Sequence, residues 1–275
     1  MLKQRVLTAI VLLAVLLPAV FASTAEPLAG LTLLLIAAGA WEWGRMNGFA
    51  MRGALRLAAV CVMVCLWTWS RHWAYQTSFQ VWQLAGAFWV LAGCWLLQRG
   101  VAAWPGVPRM VRTTGGLLAL WLAWWAMYQA KVIGVNFLLS VLSLVWVADI
   151  AAYFTGRAFG RRKLAITISP GKSWEGVWGG MAAVLVMAFV WVWADLQWGV
   201  DSPSLFTRLH ARGLGFMVVA SLFLAAMSVM GDLIESLVKR SVGMKDSSQL
   251  LPGHGGVLDR VDALLPTLPL ALMLI

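Results

Sequence analysis

Residues 212–262 read RGLGFMVVASLFLAAMSVMGDLIESLVKRSVGMKDSSQLLPGHGGVLDRVD. This stretch decides the fold class, because it opens as an apolar run of membrane length and closes as a dense polar island. A run of about 20 apolar residues, wound as a helix, crosses roughly 30 Å of hydrocarbon. The island, Ser236 to Asp262, holds the cations Lys239, Arg240, Lys245 and Arg260 and the carboxylates Asp246, Asp259 and Asp262. It also carries His254 and the glycines Gly253, Gly255 and Gly256. Cations for phosphates, carboxylates for a metal and glycines for close backbone approach are what a nucleotide-handling site requires.

The rest of the chain extends the first half of that pattern. Hydrophobic residues make up 61% of the 275 positions and charged residues 12%, about half the ~25% charged share of a soluble domain. The composition predicts an all-α integral membrane protein, a polytopic bundle of about nine transmembrane helices. The expected spans are 5–22, 27–44, 53–70, 80–98, 115–132, 134–155, 176–196, 212–231 and 260–275. The last is the weakest, being short and carrying Pro266 and Pro269. The opening MLKQRVLTAIVLLAVLLPAVFASTA has the basic start and small-residue end of a signal peptide. With further spans following, it reads as an uncleaved first helix. One polytopic domain, 1–275, accounts for the chain, with 1–132 as N-terminal helices and 133–275 as the half carrying the polar motifs. Cys61, Cys65 and Cys94 lie in apolar runs and read as packing residues. Many of the tryptophans, among them Trp41, Trp43, Trp67, Trp69, Trp73, Trp104, Trp191, Trp193 and Trp198, fall near span ends and predict an interfacial belt.

Lys and Arg in the loops set the orientation. With the N-terminus inside, starting from Lys3 and Arg5, the 21 cations divide 17 to 4 in favour of the cytoplasmic side. The net charge of +10 is then mostly topology, with some attraction to anionic headgroups, and no argument for nucleic-acid binding. The two longest polar loops, about 156–176 and 232–260, fall on the same cytoplasmic side and are expected to build one site.

Seven of the eleven acidic residues lie in those loops or the helix ends feeding them: Asp149, Glu175, Asp232, Glu235, Asp246, Asp259 and Asp262. Asp149 sits within an apolar span, where an ionisable side chain is costly and by default functional. At helical spacing it shares a stripe with Ala152, Tyr153 and Gly156. Asp232, Glu235, Ser236 and Lys239 form a second stripe, and Asp259 and Asp262 repeat the carboxylate spacing across the loop. Two helix ends thus offer facing carboxylates, and Mg²⁺ commonly bridges such groups to substrate phosphates. In PGHGGVLDR, the glycines allow backbone N–H groups near an anion, and His254 can donate to a phosphate oxygen. Gly171-Lys172-Ser173 invites a P-loop reading, but Ile166 stands where that motif needs glycine, and no βαβ unit is expected. Lys172 and Ser173 remain candidate phosphate binders, with Glu175 a helix-start acid or a further site carboxylate.

In these residues the chain resembles bacterial phosphatidate cytidylyltransferases, also called CDP-diacylglycerol synthases. The resemblance rests on Ser236, Val238, Lys239-Arg240, Lys245-Asp246, Ser248, Leu251, Pro252, His254-Gly255-Gly256, Val257, Asp259-Arg260, Val261 and Asp262. DIAAYFTGRAFGRRKLAITISPGKSWEG from Asp149 and WEWGRMNG from Trp41 extend it. It implies the Mg²⁺-dependent reaction of CTP with phosphatidate to give CDP-diacylglycerol and pyrophosphate at the bacterial cytoplasmic (inner) membrane, with a monovalent second cation and a homodimer as further implications. It assigns metal binding to Asp232 and Asp259, supported by Asp262 and Asp246. Lys239, Arg240, Lys245 and Arg260 would hold the triphosphate and lipid phosphate, and His254, Gly255 and Gly256 would line the reacting phosphorus. Asp149, Lys163, Lys172, Ser173 and Ser236 would complete the substrate site.

Three other readings compete. CDP-alcohol phosphotransferases need a DGxxAR run that is absent. CTP-dependent synthases of other lipids, or prenol kinases, would share the metal and nucleotide chemistry. A transporter or channel would use Asp149 and Asp232 as an ion path, but the charges cluster at one face and the interiors of the other spans lack ionisable residues.

Overall fold

The computed structural model describes residues 2–75 and 79–275, with side chains from residue 6 onward, so Lys3 and Arg5 lie outside the described side chains. Apolar runs become helices because a backbone N–H or C=O left unpaired in hydrocarbon costs several kcal/mol, and a helix pairs these groups within the segment. The helices are α1 (Leu2–Phe21), α2 (Glu26–Met46), α3 (Met51–Ser70), α4 (Phe79–Arg99), α5 (Arg109–Ile133), α6 (Val135–Phe159), α7 (Trp174–Gln197), α8 (Leu205–His210), α9 (Leu214–Ser241), α10 (Leu258–Val261) and α11 (Leu264–Met273). Among the described residues, α2, α3, α4, α6, α7 and α9 are long and apolar enough to cross a membrane. The other three expected spans fall on α1, α5 and the α10–α11 pair.

That last pair departs from expectation. The run 260–275 breaks into four-residue α10 and ten-residue α11, and ten helical residues reach only about 15 Å. Pro269 lies inside α11, and Leu264, Leu268, Leu270, Ala271 and Leu272 are buried. α11 is therefore an internal helix, packed against α4, α5 and α9, while the outward faces of α1, α3 and α7 carry exposed Leu, Val, Phe and Trp.

Two further expectations change. The loop before α7 contains an antiparallel hairpin, β1 (Lys163–Ala165) with β2 (Ser169–Ser173). It is a local ribbon and not the parallel βαβ unit of a P-loop. The tryptophan belt is also only partial. Trp67, Trp193 and Trp198 are exposed, but Trp104, Trp124 and Trp125 are buried, and Trp69, Trp124 and Tyr128 pack as a ring cluster in the core.

Small residues set the spacing at the end of the bundle that bears the motifs. α6 and α7 make the most extensive helix pair, because a side chain at Gly176 or Gly180 would press on the Ala152 or Ala148 carbonyl at 2.8 and 2.7 Å. Ala152 and Gly156 thus face α7, whereas Tyr153, expected on the same stripe, points outward and is 59% exposed. Gly231 plays the equivalent part between α9 and the start of α11. A Cβ there would overlap the Asp262 carbonyl and meet the Pro266 ring at 2.9 Å. This contact brings Asp262 up against the turn that carries Asp232. Gly231→Ala is expected to lower stability by about 1–3 kcal/mol through overpacking, read as a drop in the thermal midpoint of the protein in detergent. An unchanged midpoint would contradict the close approach.

Candidate active site

The two polar segments meet at an ion pair. Lys172, on β2, places Nζ 2.6 Å from Asp232 Oδ2 on α9, and Ser236, one turn on, donates to Asp232 Oδ1 at 3.3 Å. Asp149 of α6 lies within electrostatic reach of Lys172 and Asp232, and Asp262 within reach of Asp232, Lys172 and Lys239. Asp149, Lys172, Asp232, Ser236 and Asp262 are therefore gathered from four separate parts of the fold. Asp262 spends Oδ1 on the Ala263 N–H at 2.8 Å.

Several neighbours expected to touch substrate also have partners within the protein. Ser173 is buried and caps α7, accepting from the Gly176 N–H at 3.2 Å. Glu175 accepts from the backbone N–H groups of Arg161 and Arg162 at 3.1 and 3.2 Å, so it is the helix-start acid of the two alternatives. Arg240 ties α9 to the hairpin, donating Nε to the Ile168 carbonyl at 3.4 Å and Nη1 to the Met244 carbonyl at 3.3 Å. Lys163 stands exposed across the ribbon from Ser173.

A second cluster lies behind the first. The stripe Asp232, Glu235, Ser236, Lys239 divides by depth: Asp232 and Ser236 turn to the meeting point, whereas Glu235 and Lys239 are buried. Lys239 Nζ lies 2.5 Å from Glu235 Oε2 and 2.5 Å from Asp259 Oδ1. Asp259 Oδ2 accepts from the Gly256 N–H at 2.7 Å, the Ser247 N–H at 2.9 Å and the Ser247 hydroxyl at 3.0 Å. Burial pushes the Asp259 carboxyl up, but the Lys239 ammonium and the Gly256 and Ser247 donors outweigh it and hold the group below the ordinary aspartate range. The Lys239 charge is thus committed to two protein carboxylates.

The loop itself hangs on a residue the sequence reading passed over. Glu42 of α2 is fully buried and accepts from the Ser248 hydroxyl at 2.5 Å and the N–H groups of Val257 and Leu258 at 2.9 and 2.8 Å, while the Ser247 hydroxyl, whose one proton is shared with Asp259, lies 3.2 Å away. The claim that the other spans lack interior ionisable residues fails here. The available signal was a glutamate between Trp41 and Trp43, two residues from the end of a span. The glycines follow from the same carboxylates. Gly255 has φ +81°, and a Cβ on Gly256 would collide with Ser247 Oγ and Glu42 Oε1. The anions these backbone groups approach are Asp259 and Glu42.

The remaining motif residues are arranged around this core. Arg260 donates Nε and Nη2 to the His254 carbonyl at 2.9 and 2.5 Å, and His254 Nδ1 is buried without a hydrogen-bond partner. Lys245 and Asp246 line an adjoining cleft with Trp41 and Arg45, and Asp246 also lies beside Gly255 at the Asp259 loop. Among the described residues no three His, Cys, Asp or Glu side chains form a ready-made metal cluster. The donor set still fits a hard cation, being oxygen only. Asp232 lies at the meeting point, Asp262 has one carboxylate oxygen free of hydrogen bonds, and Asp259 Oδ1 carries the Lys239 donor alone, leaving a lone pair.

Glu42→Ala strands the Ser248 hydroxyl and the Val257 and Leu258 N–H groups in the interior and is expected to cost about 3 kcal/mol or more. The readouts are a lowered thermal midpoint and faster proteolysis within 245–256, with Glu42→Gln, which keeps one acceptor oxygen, falling between. Wild-type protease resistance in Glu42→Ala would contradict this anchoring role.

A family model described as the cytidylyltransferase family matches residues 3–275. A Pseudomonas aeruginosa protein named phosphatidate cytidylyltransferase is 38% identical over 274 residues, covering 98% of this chain and 95% of that protein. A Haemophilus influenzae protein of the same name is 37% identical over 291 residues, covering 98% and 96%. One from Brucella suis is 45% identical over 134 residues, 48% of this chain and 43% of that protein.

Proposed function

This chain belongs to the cytidylyltransferase family, and from that premise we propose that it transfers CMP from CTP to phosphatidate, giving CDP-diacylglycerol and pyrophosphate. The carrying observation is the Lys172–Asp232 pair at 2.6 Å, which joins both polar segments at the ends of membrane-type helices. A soluble triphosphate and a bilayer lipid can meet only at such an interface. The positive-inside bias supports placing it on the cytoplasmic face of the bacterial inner membrane, with the N-terminus on the same side.

In the reaction a phosphatidate phosphate oxygen forms a bond to the α-phosphorus of CTP. The bond from that phosphorus to the β-phosphate oxygen breaks, and the electron pair leaves on pyrophosphate. The nucleophile is already anionic near neutral pH, so no strong base is needed, and positioning with charge neutralisation carries the catalysis. Lys172, held beside Asp232 yet 25% exposed, can swing its ammonium to a phosphate at little cost in geometry. Lys239, bound to two carboxylates, positions Asp259 and does not reach substrate. His254, Gly255 and Gly256 are held close to Asp259 by the loop and shape the wall of the site. The exposed cations Lys245 and Arg260 and the solvent-facing edge of Arg240 supply positive charge for the triphosphate.

Asp232, Asp259 and Asp262 would hold Mg²⁺, with Asp246 in support and a monovalent ion as second cation. Bound there, Mg²⁺ neutralises charge on the phosphate oxygens. A homodimer is the assembly proposed from the family resemblance. Membranes containing the protein are expected to convert labelled CTP to a chloroform-soluble product only when both phosphatidate and Mg²⁺ are present. Asp232→Asn and Asp259→Asn should each lower turnover by at least about 10- to 100-fold, the loss that removing even an outer-shell partner of a metal site gives. Full activity of either purified variant with Mg²⁺ supplied would overturn the metal assignment, and ion flux without product would favour a transporter.

A further inference from the structure

An apolar cavity of about 240 Å³ lies against α9, on the face that carries Gly231, Ile234 and Glu235 and next to the one that carries Asp232, the partner of Lys172. α4, the turn over Val101–Gly106, the first half of α5 and the start of α11 wall it, and Gly231 and Glu235 of α9 close it. Its rim residues Phe88, Trp95 and Val111 are exposed on the outer, lipid-type surface between α4 and α5, so the opening is sideways. Three buried N–H donors on its lining residues have no hydrogen-bond partner, Trp89 Nε1, Trp104 Nε1 and Arg112 Nε, and the Glu235 carboxylate beside them is an acceptor that meets Lys239 instead. Trp104 is 4% exposed, and buried donors of this kind are rarely left unsatisfied without a ligand or water to meet them.

The chemistry that fits is mixed. Apolar walls favour a hydrocarbon chain, while two indole N–H groups and a guanidinium N–H call for acceptor oxygens. An acyl chain with its ester carbonyl supplies both. Position narrows the choice, because Gly231 immediately precedes Asp232 and Glu235 follows it by three residues on the same helix. A lipid seated here keeps its headgroup close to the Lys172–Asp232 pair. We propose that this cavity holds one acyl chain of the phosphatidate substrate, admitted from the bilayer between α4 and α5, with its ester oxygens on Trp89, Trp104 and Arg112. The proposal rests on the phosphatidate reading above.

Gly115 lets the cavity be filled without disturbing its frame. It lies within α5, and a Cβ there meets only Phe88 Cζ, at 3.8 Å, whereas one on neighbouring Gly116 would strike the Trp43 ring. Gly115→Leu is therefore expected to lower the preference, in kcat/KM, for dioleoyl over dihexanoyl phosphatidate about tenfold, given what each methylene in an apolar pocket contributes. An unchanged chain-length preference would overturn the proposal. Photolabelling gives an independent readout, with a phosphatidate carrying a diazirine in its acyl chain applied to the unsubstituted protein. The label is expected on residues 88–96 and 111–120 and should be displaced by dioleoyl phosphatidate but not by dioleoyl phosphatidylcholine. Labelling elsewhere, or equal displacement by both lipids, would overturn the proposal and mark the cavity as a site for bulk lipid. The two readings fail separately: an unsubstituted protein that forms no CDP-lipid refutes the activity, whereas turnover without displaceable labelling refutes the cavity alone.

Discussion

A carboxylate with no access to solvent, Glu42, holds the site together. It accepts hydrogen bonds from Ser248, Val257 and Leu258 at the far end of the chain. A buried charge without donors would cost several kcal/mol, so α2 and the 247–258 loop depend on each other. Once the loop is pinned, Gly256 and Ser247 reach Asp259, Asp259 holds Lys239, and Lys239 ties the loop back to α9. The reacting end of α9 is fixed as a consequence. Much of the polar motif thus builds a rigid frame, beside which Lys172, Asp232, Asp262 and Asp149 gather.

This division explains why membrane-type helices can carry so dense a set of charges. Glu42 and Asp259 are met by donors drawn from distant segments and Glu235 by Lys239 one turn on, and glycines make the necessary approaches. Gly231 lets the start of α11 close on α9, and Gly176 and Gly180 let α7 close on α6. Short α11, buried at the centre, then brings Asp262 back to Asp232 instead of carrying the chain across the bilayer.

Much of the architecture was legible in the sequence. The helices α2, α3, α4, α6, α7 and α9 match apolar runs within a few residues at most of their ends, because the hydrocarbon constraint acts on composition and length. The meeting of the two polar segments was also legible, from loop charge. What could not be read was which polar residue serves substrate and which serves the fold. Lysine and glycine hold a protein carboxylate with the same donors they would offer a phosphate, and a serine oxygen can cap a helix, so the framework contacts of Lys239, Gly256 and Ser173 carry no separate mark in the sequence. Glu42 was missed because its partners lie more than 200 residues away, and a glutamate between two tryptophans near a span end does not name them. α11 was misread because periodicity cannot separate a buried helix from a crossing one.

The central claim is that the two polar segments work as one site joined through Lys172 and Asp232. A double-mutant cycle tests it most directly, measuring kcat/KM for CTP and phosphatidate in Lys172→Ala, Asp232→Asn and the double variant. Residues acting through one another give non-additive losses, so the double variant should be scarcely worse than the poorer single one. Losses that multiply independently would show that the segments act separately and would contradict the account.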